Sequence, residues 1–273
     1  MSAARVLLYL ATAAGLGLLA RTLIRGPVPL WIALGAFGLY VCIAAAGVFK
    51  PQLRMYADLI WRGPTDRGEV VLTFDDGPQP EHTRRILSIL DRAKVKATFF
   101  VIGAKVEKHP EVAAEIVRKG HMIGIHGYEH DRLLALRSAT TIMKDLELAQ
   151  RAVVDATGEV PMVFRPPVGV TSPRIDEAVR KMGLVMVAWS VKGIDGVAGA
   201  RPDQVAGRVA TRVRPGSIIL LHDALERSEQ EPASVAALPK ILDAISAKGL
   251  RVVELKAWLP ELNSERKAET SSS

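Results

Sequence analysis

The chain opens with two apolar stretches and then changes to a mixture of apolar and charged positions. Val28–Phe49 runs 22 residues without a charged side chain, which matches the ~20 residues that a helix needs to cross a hydrocarbon core. Val6–Ala20 spans 15 residues before Arg21 and reaches a useful length if that arginine snorkels to the headgroups. The pattern predicts a transmembrane helical hairpin over residues 1–50 and a linker over residues 51–68.

Two other interpretations of the N-terminal stretch stay open. A signal peptide shares its basic and apolar character, but the second span follows at once, which favours the hairpin. Buried core helices of a soluble protein are disfavoured, because they rarely run this long without a charge. Arg21 and Arg25 in the hairpin favour a cytoplasmic turn and an exported domain, whereas Lys50, Arg54 and Arg62 favour the reverse. Charge counting therefore leaves the topology open.

Between Glu69 and about Leu259, short β-rich runs alternate with helical patterns. Seven alternations imply parallel pairing, and continuous apolar runs such as VVLTF and IILL suit a sheet covered by helices. We predict an α/β domain over residues 69–262, whose strands can close into a barrel, and a disordered Ser-, Glu- and Lys-rich tail over residues 263–273. The predicted strands are Glu69–Phe74, Ala97–Ile102, His121–Ile125, Met162–Arg165, Leu184–Val191, Ser217–His222 and Arg251–Leu255.

Composition excludes one class of partner and adds little else. The formal charge of +7 could suggest nucleic acid, but the basic residues are scattered among nearly as many acids and form no stripe with interleaved aromatics. We therefore expect no nucleic-acid partner. The single cysteine, Cys42, lies inside the second apolar stretch and has no disulfide partner.

The first predicted strand ends in two adjacent carboxylates, Asp75 and Asp76, followed by Gly77 and Pro78. In a parallel α/β sheet, ligand sites collect at the carboxyl ends of strands. Adjacent strand residues point to opposite faces, so both carboxylates reach one site only if the backbone turns there, which Gly-Pro permits.

Three other strand ends carry polar side chains. His126 and His130 are four residues apart and lie on one face if the segment makes a helical turn, so both can reach one metal ion at ~2.0–2.1 Å. Arg165 precedes two stiffening prolines, and His222 follows a run of Ile and Leu. Each feature alone has a plain structural explanation, but chance seldom places all of them at strand ends of one sheet.

Together these side chains complete a hydrolytic site. Two histidines and one aspartate give three protein ligands and leave the remaining positions to water and substrate, as catalytic zinc requires. The other carboxylate can accept a proton from that water. His222 can return a proton to a leaving amine, and Arg165 can hold the basic carboxylate ionised and in place.

The motifs resemble those of the polysaccharide deacetylase family, the NodB-homology domain of carbohydrate esterase family four. The match covers about residues 69–259, with five motifs in the family's order. The resemblance implies a distorted (β/α) barrel of about seven strands, one divalent metal ion, most simply zinc, and removal of N-acetyl groups from a hexosamine polymer. It implies these roles: Asp75 as base, Asp76, His126 and His130 as metal ligands, Arg165 orienting the base, His222 as acid, and Asp195 supporting that acid.

The resemblance also implies a substrate-binding surface at Pro167, Val168 and Leu220, with the Val168 N–H contacting the oxyanion and Leu220 lining an acetyl pocket. Four positions depart from the family's pattern. The departures are Gly127 for Ser or Thr, Val168 for Tyr, Gly196 for a Trp that walls the acetyl pocket, and Lys192 for an acid. Gly127 removes a hydroxyl near the histidines, and the last two departures bear on substrate choice.

We therefore expect a membrane-anchored, metal-dependent polysaccharide N-deacetylase. Its catalytic domain is expected on the extracytoplasmic side, acting on a cell-envelope or extracellular polysaccharide. Two alternatives remain. A non-catalytic glycan-binding module on the same barrel is suggested by the opened pocket at Gly196, and a deacylase of small amides or esters would need a closed pocket.

Overall fold

A computed structural model of the chain describes residues 2–197 and 199–259. The helices in these residues are α1 (Ala3–Arg25), α2 (Leu30–Phe49), α3 (Pro80–Ala93), α4 (Gly103–Lys108), α5 (Pro110–Arg118), α6 (Ala139–Thr157), α7 (Pro173–Lys181), α8 (Pro202–Arg212) and α9 (Ala233–Ala247). The strands are β1 (Glu69–Asp75), β2 (Thr98–Val101), β3 (Met122–Ile125), β4 (Val163–Phe164), β5 (Val185–Met186), β6 (Val191–Lys192), β7 (Ile218–His222) and β8 (Arg251–Val252).

Helices α1 and α2 cover the two apolar stretches and extend the first one at both ends. Both are long and apolar enough to cross a membrane, and almost none of their residues are buried. They are candidate membrane spans, either as an anchor or as a signal sequence. The start of α1 contacts the segment that follows α2, where the Arg5 guanidinium lies 3.1 Å from Asp58.

The sheet is parallel, in the order β5-β4-β3-β2-β1-β7-β6, with β8 paired to the start of β1. Helices follow most of the strands and cover the outer face, because a parallel connection must cross over the sheet. The predicted α/β fold, a distorted (β/α) barrel, is confirmed, and the parallel sheet forms a half-barrel.

The two edges of the sheet come from one predicted strand, Leu184–Val191. This range contains β5, which pairs with β4, and ends in β6, which pairs with β7. The prediction of one continuous strand is wrong, because residues 187–190 interrupt it. Between the edges, Ile60 forms a parallel bridge with Val187 and Arg62 an antiparallel bridge with Ser217. The barrel is distorted because irregular backbone closes this side.

The segment 51–68, which the sequence assigns to a linker, packs against the barrel. Ala57, Leu59 and Ile60 are at most 4% exposed, and the Ile60 N–H donates to the Met186 carbonyl. The segment after α2 is therefore packed against the folded domain and is not a flexible linker. The domain boundaries drawn from sequence remain predictions, and the predicted tail lies outside the described residues.

Four helical patterns in the sequence are each followed directly by a glycine, which predicts a helix end there, whereas the segment of α4 has no helical pattern long enough to predict a helix. Gly120, Gly158, Gly183 and Gly249 all have positive φ, between 67° and 77°, as left-handed C-terminal caps require. Helix α4 was not predicted because it is only six residues long. It joins β2 to α5 and has no start or stop signal of its own in the sequence.

Strand side chains alternate between two apolar layers. The outward face, represented by Phe74, packs against the helices. The inward face holds a second cluster that includes Val71, Phe100 and Trp258, and the Trp258 indole N–H donates to Glu69 over 2.9 Å. The interior of the barrel is thus apolar towards the start of β1, while the carboxyl ends of the strands carry the polar side chains.

Candidate active site

The predicted site residues lie on the inward face at neighbouring strand ends. On β1, Asp75 points inward while Phe74 packs in the outer layer, as strand alternation requires. The register pairs Asp75 with His222 of β7. His126 and Arg165 follow β3 and β4, and their N–H groups bond to the preceding strands.

The backbone turns after Asp75, as the Gly77-Pro78 pair predicts. Asp76 has a φ of 73°, so its carboxylate lines the same cavity as Asp75 instead of the opposite face. Left-handed backbone at a non-glycine residue costs on the order of 1–3 kcal/mol. Gly77 is needed here, because a Cβ would lie 2.1 Å from Asp223 Oδ2.

Asp76, His126 and His130 form a buried cluster suited to a divalent metal ion. Their ligand atoms lie within 4.8 Å of one another. His126 Nε2 and His130 Nε2 are 3.5 and 3.4 Å from Asp76 Oδ1, close to the ~3.3 Å that separates tetrahedral ligands at 2.0–2.1 Å from one ion. Asp76 Oδ1 is buried and makes no hydrogen bond among the described residues, which a cation would remedy.

A hydrogen bond sets the orientation of the His126 imidazole. His126 Nδ1 lies 2.7 Å from the Arg165 carbonyl, which can only accept, so Nδ1–H donates and Nε2 keeps its lone pair for the metal. Burial lowers the pKa of His126, which favours the neutral ligand. His130 has a φ of 56°, and its Nδ1 lies 3.4 Å from Glu226.

Arg165 holds the carboxylate of Asp75. The guanidinium is 0% exposed and donates to Asp75 Oδ1 over 2.6 Å. It also donates to Thr73 Oγ1 and to the carbonyls of Val187 and Ala188. Arg165 therefore places a buried positive charge directly beside the Asp75 carboxylate.

His222 and Asp195 form a second acid-base unit across the cleft. Asp195 accepts the His222 backbone N–H over 2.7 Å and lies 3.1 Å from Nδ1. Burial alone would lower the pKa of His222, but attraction to Asp195, their hydrogen bond and the negative charges of Asp76 and Asp75 outweigh it and raise this pKa to about 9. The imidazole is therefore protonated at neutral pH and available as an acid, although a bound cation would weaken the contribution of Asp75 and Asp76.

A cavity of about 390 Å³ joins these groups. Of the predicted substrate-binding residues, Val168 and Leu220 line it, whereas Pro167 is buried and its neighbour Pro166 takes the place at the wall. Val168 has a φ of 52° and a half-exposed side chain. The apolar wall consists of Pro166, Val168, Trp189, Ile194, Val197 and Leu220.

Sequence reasoning missed the residues that hold the histidine loop. Asp145 of α6 accepts the Tyr128 N–H over 3.1 Å, and Tyr128 lies between His126 and His130 in the chain. Gly127 has a φ of 81°, so this loop position suits glycine. Nothing local marks Asp145, because it lies in the middle of an ordinary amphipathic helix.

The sequence suggests an open pocket at Gly196, but the structure places another side chain there. A Cβ there would lie 2.9 Å from His222 Nδ1, so the imidazole packs directly against the glycine backbone. Ile194 and Val197 line the adjacent cavity. The space expected beside Gly196 is thus lined by His222, the candidate acid, and by Ile194 and Val197.

Comparisons with known proteins agree with this geometry. Residues 62–187 match the family model described as Polysaccharide deacetylase. A peptidoglycan-N-acetylglucosamine deacetylase of Bacillus cereus is 36% identical over 208 residues, which cover 75% of this chain and 73% of the relative. A chitooligosaccharide deacetylase of Sinorhizobium fredii is 35% identical over 210 residues, which cover 73% and 96%.

A solved structure bears on whether such a barrel is active. A CE4 family pseudoenzyme from Bacillus anthracis is 27% identical, with a TM-score of 0.68 over 76% of this chain and 71% of that one. A mutant of that protein has restored enzymatic activity. Solved structures with this fold therefore include proteins with and without enzymatic activity.

Proposed function

Because this chain belongs to the polysaccharide deacetylase family, we propose that it removes N-acetyl groups from N-acetylhexosamine units of a cell-envelope or extracellular polysaccharide. One observation carries the proposal. The Asp75–Arg165 pair and the His222–Asp195 pair line or support one cleft that also contains the Asp76, His126 and His130 cluster. A hydrolase needs a base, an acid and an electrophile around one bond, whereas a binding module needs none of them.

The acid-base roles follow from the two pairs. Asp75, held in place by Arg165, accepts a proton from water as the water oxygen bonds to the acetyl carbon. Protonated His222 gives its proton to the amide nitrogen as the C–N bond breaks, which yields acetate and a free amine. Asp195 keeps the imidazole oriented and favours its protonated form.

Zinc is the metal that the donor set favours. One carboxylate and two imidazoles, with room for further ligands, form the three-ligand pattern of catalytic zinc. When bound, such an ion would polarise the acetyl carbonyl and lower the pKa of a bound water. Asp76, His126 and His130 would hold it, and the Val168 N–H and the Leu220 side chain would contact the oxyanion and the acetyl methyl group respectively.

The proposed location is a membrane with the catalytic domain on its extracytoplasmic side. The exposed apolar surface of α1 and α2 and the packed junction at residues 51–63 support anchoring close to the bilayer. An envelope polymer is met outside the cytoplasm, which favours export. Protease digestion of intact spheroplasts should degrade the domain, and protection until lysis would place it in the cytoplasm instead.

Acetate release tests the proposal directly. Full-length protein in detergent is incubated with peptidoglycan, chitooligosaccharide and N-acetylglucosamine monomer, with Asp75→Asn as the matched inactive control. We expect acetate from a polymer or oligomer with the wild type alone. Binding of polymer without acetate from any substrate would support the glycan-binding alternative, and release from the monomer or from simple esters alone would support the small-amide alternative.

A further inference from the structure

Lys192 faces the cleft from β6. It pairs in register with Leu220, and Leu220 lies two residues before His222 on the same strand face. Paired residues of parallel strands share a face, so the Lys192 Cα lies ~8 Å from the His222 Cα, from a strand spacing of 4.8 Å and a rise of 3.3 Å per residue. Its neighbour Val191 points outward into the core, and the Lys192 side chain is exposed at the cavity wall.

Other charges of the cleft lining have partners of the opposite sign. Asp75 pairs with Arg165, His222 with Asp195, and Arg132 with Glu226. The carboxylate of Asp76 faces the two ligating histidines. Among the described residues, Lys192 has neither a carboxylate nor a hydrogen-bond partner, so it gives the cleft an uncompensated positive charge.

An aromatic platform holds this charge in place. Lys192 Nζ lies 5.6 Å from the centre of the Trp189 ring, within reach of a cation–π interaction. The ring packs against Gly169, where a Cβ would lie 2.4 Å from it, and Gln52 donates to the Trp189 carbonyl over 3.1 Å. The ammonium therefore stands over a supported ring at the wall of the cavity.

We propose that Lys192 binds a carboxylate carried by the glycan, so that the substrate is an acidic N-acetylated polysaccharide. This inference rests on the proposed function of the same cleft. A single ammonium matches the charge of one carboxylate, whereas a phosphate is usually held by several donors. The carboxylate can come from an ether-linked lactyl group on the neighbouring hexosamine or from a neighbouring hexuronic acid.

Equilibrium binding separates these sources and does not depend on turnover. All proteins carry Asp75→Asn in the full chain, so that the glycan stays intact, and affinity is measured by calorimetry at low and high salt. The probes are an N-acetylglucosamine–N-acetylmuramic acid oligomer, an N-acetylglucosamine–glucuronic acid oligomer, and the carboxyl-reduced form of each. Lys192→Met is compared with Lys192→Arg and with Lys144→Met, an exposed lysine on α6.

We expect the parent to bind one carboxylated oligomer roughly three- to tenfold more tightly than its reduced form, as one partly screened ion pair allows. Lys192→Met should abolish that preference, whereas Lys192→Arg and Lys144→Met should keep it. The inference is overturned if the parent shows no preference, if Lys192→Met keeps it, or if no glycan binds. A carboxylate preference without acetate release by the Asp75-containing enzyme would reject the deacetylase proposal while keeping this one.

Discussion

Arg165, fully buried, donates a hydrogen bond to Asp75 Oδ1 over 2.6 Å. The two residues are 90 positions apart, and three further hydrogen bonds fix the guanidinium to Thr73 and to two carbonyls. A planar guanidinium can make these contacts at once, whereas a lysine could not. The pair therefore holds the proposed base in a fixed position.

Asp75→Asn removes the base and leaves the metal ligands untouched. We expect turnover to fall by ~10²-fold or more while metal content stays near that of the wild type, because Asn retains the shape and one oxygen beside Arg165. Acetate release and elemental analysis of the same preparation test this. Near-normal turnover would assign the base elsewhere, and His222→Ala is expected to behave in the same way.

His126→Ala removes one of three ligands of the metal cluster. Metal retention and activity should both be lost, while the domain stays folded by circular dichroism. His121→Ala is a useful control, since His121 is also buried but lies at the start of β3, away from the cavity. Normal metal content in His126→Ala would contradict the ligand assignment.

Asp195→Asn changes the pH dependence. Asp195 helps to raise the pKa of His222 to about 9, so its loss should lower that pKa and move the alkaline decline of the rate to lower pH. The raised pKa also means that His222 stabilises the fold fully below its unfolded pKa of 6.5 and that this contribution disappears as pH rises to about 9. Rate profiles and melting temperatures from pH 6 to about 10 of both metal-loaded proteins measure the two effects. An unshifted alkaline limb would exclude this role for Asp195.

Gly196→Ala places a methyl group 2.9 Å from His222 Nδ1. The sequence alone predicts that Gly196→Trp would narrow acyl preference towards acetyl, but the position leaves no room for a Cβ without displacing the proposed acid. We expect Gly196→Ala to lower turnover with both acetylated and propionylated glycan, and Gly196→Trp to lower it further. A changed acetate-to-propionate ratio at full activity would restore the pocket-wall interpretation.

Gly127→Ser restores the hydroxyl that the family's pattern favours, yet it should not help. The φ of 81° and a Cβ position 3.0 Å from Asp145 Oδ2 oppose any side chain, so we expect a loss of roughly 1 kcal/mol in unfolding free energy. Gly127→Ala is the matched control, because it carries the strain without the hydroxyl. A more stable Gly127→Ser variant would show that the loop adapts.

The sequence by itself determined what local patterns encode. Apolar runs marked the helices α1 and α2, glycines marked helix ends, and polar residues after β-rich runs marked Asp75, His126, Arg165 and His222. These signals survive because strand alternation and the parallel crossover rule bring strand ends to one edge whatever the loops do.

Only the tertiary structure decided the features that depend on contacts between distant segments. Ile60 closes the barrel by bridging Val187, Asp145 supports the histidine loop, and Gly196 packs under His222 instead of leaving an open pocket. In each of these three contacts the two partners are more than ten positions apart in the sequence. No local periodicity or turn signal therefore predicts them. Their geometry follows from how the barrel closes, which the packing of the whole chain sets.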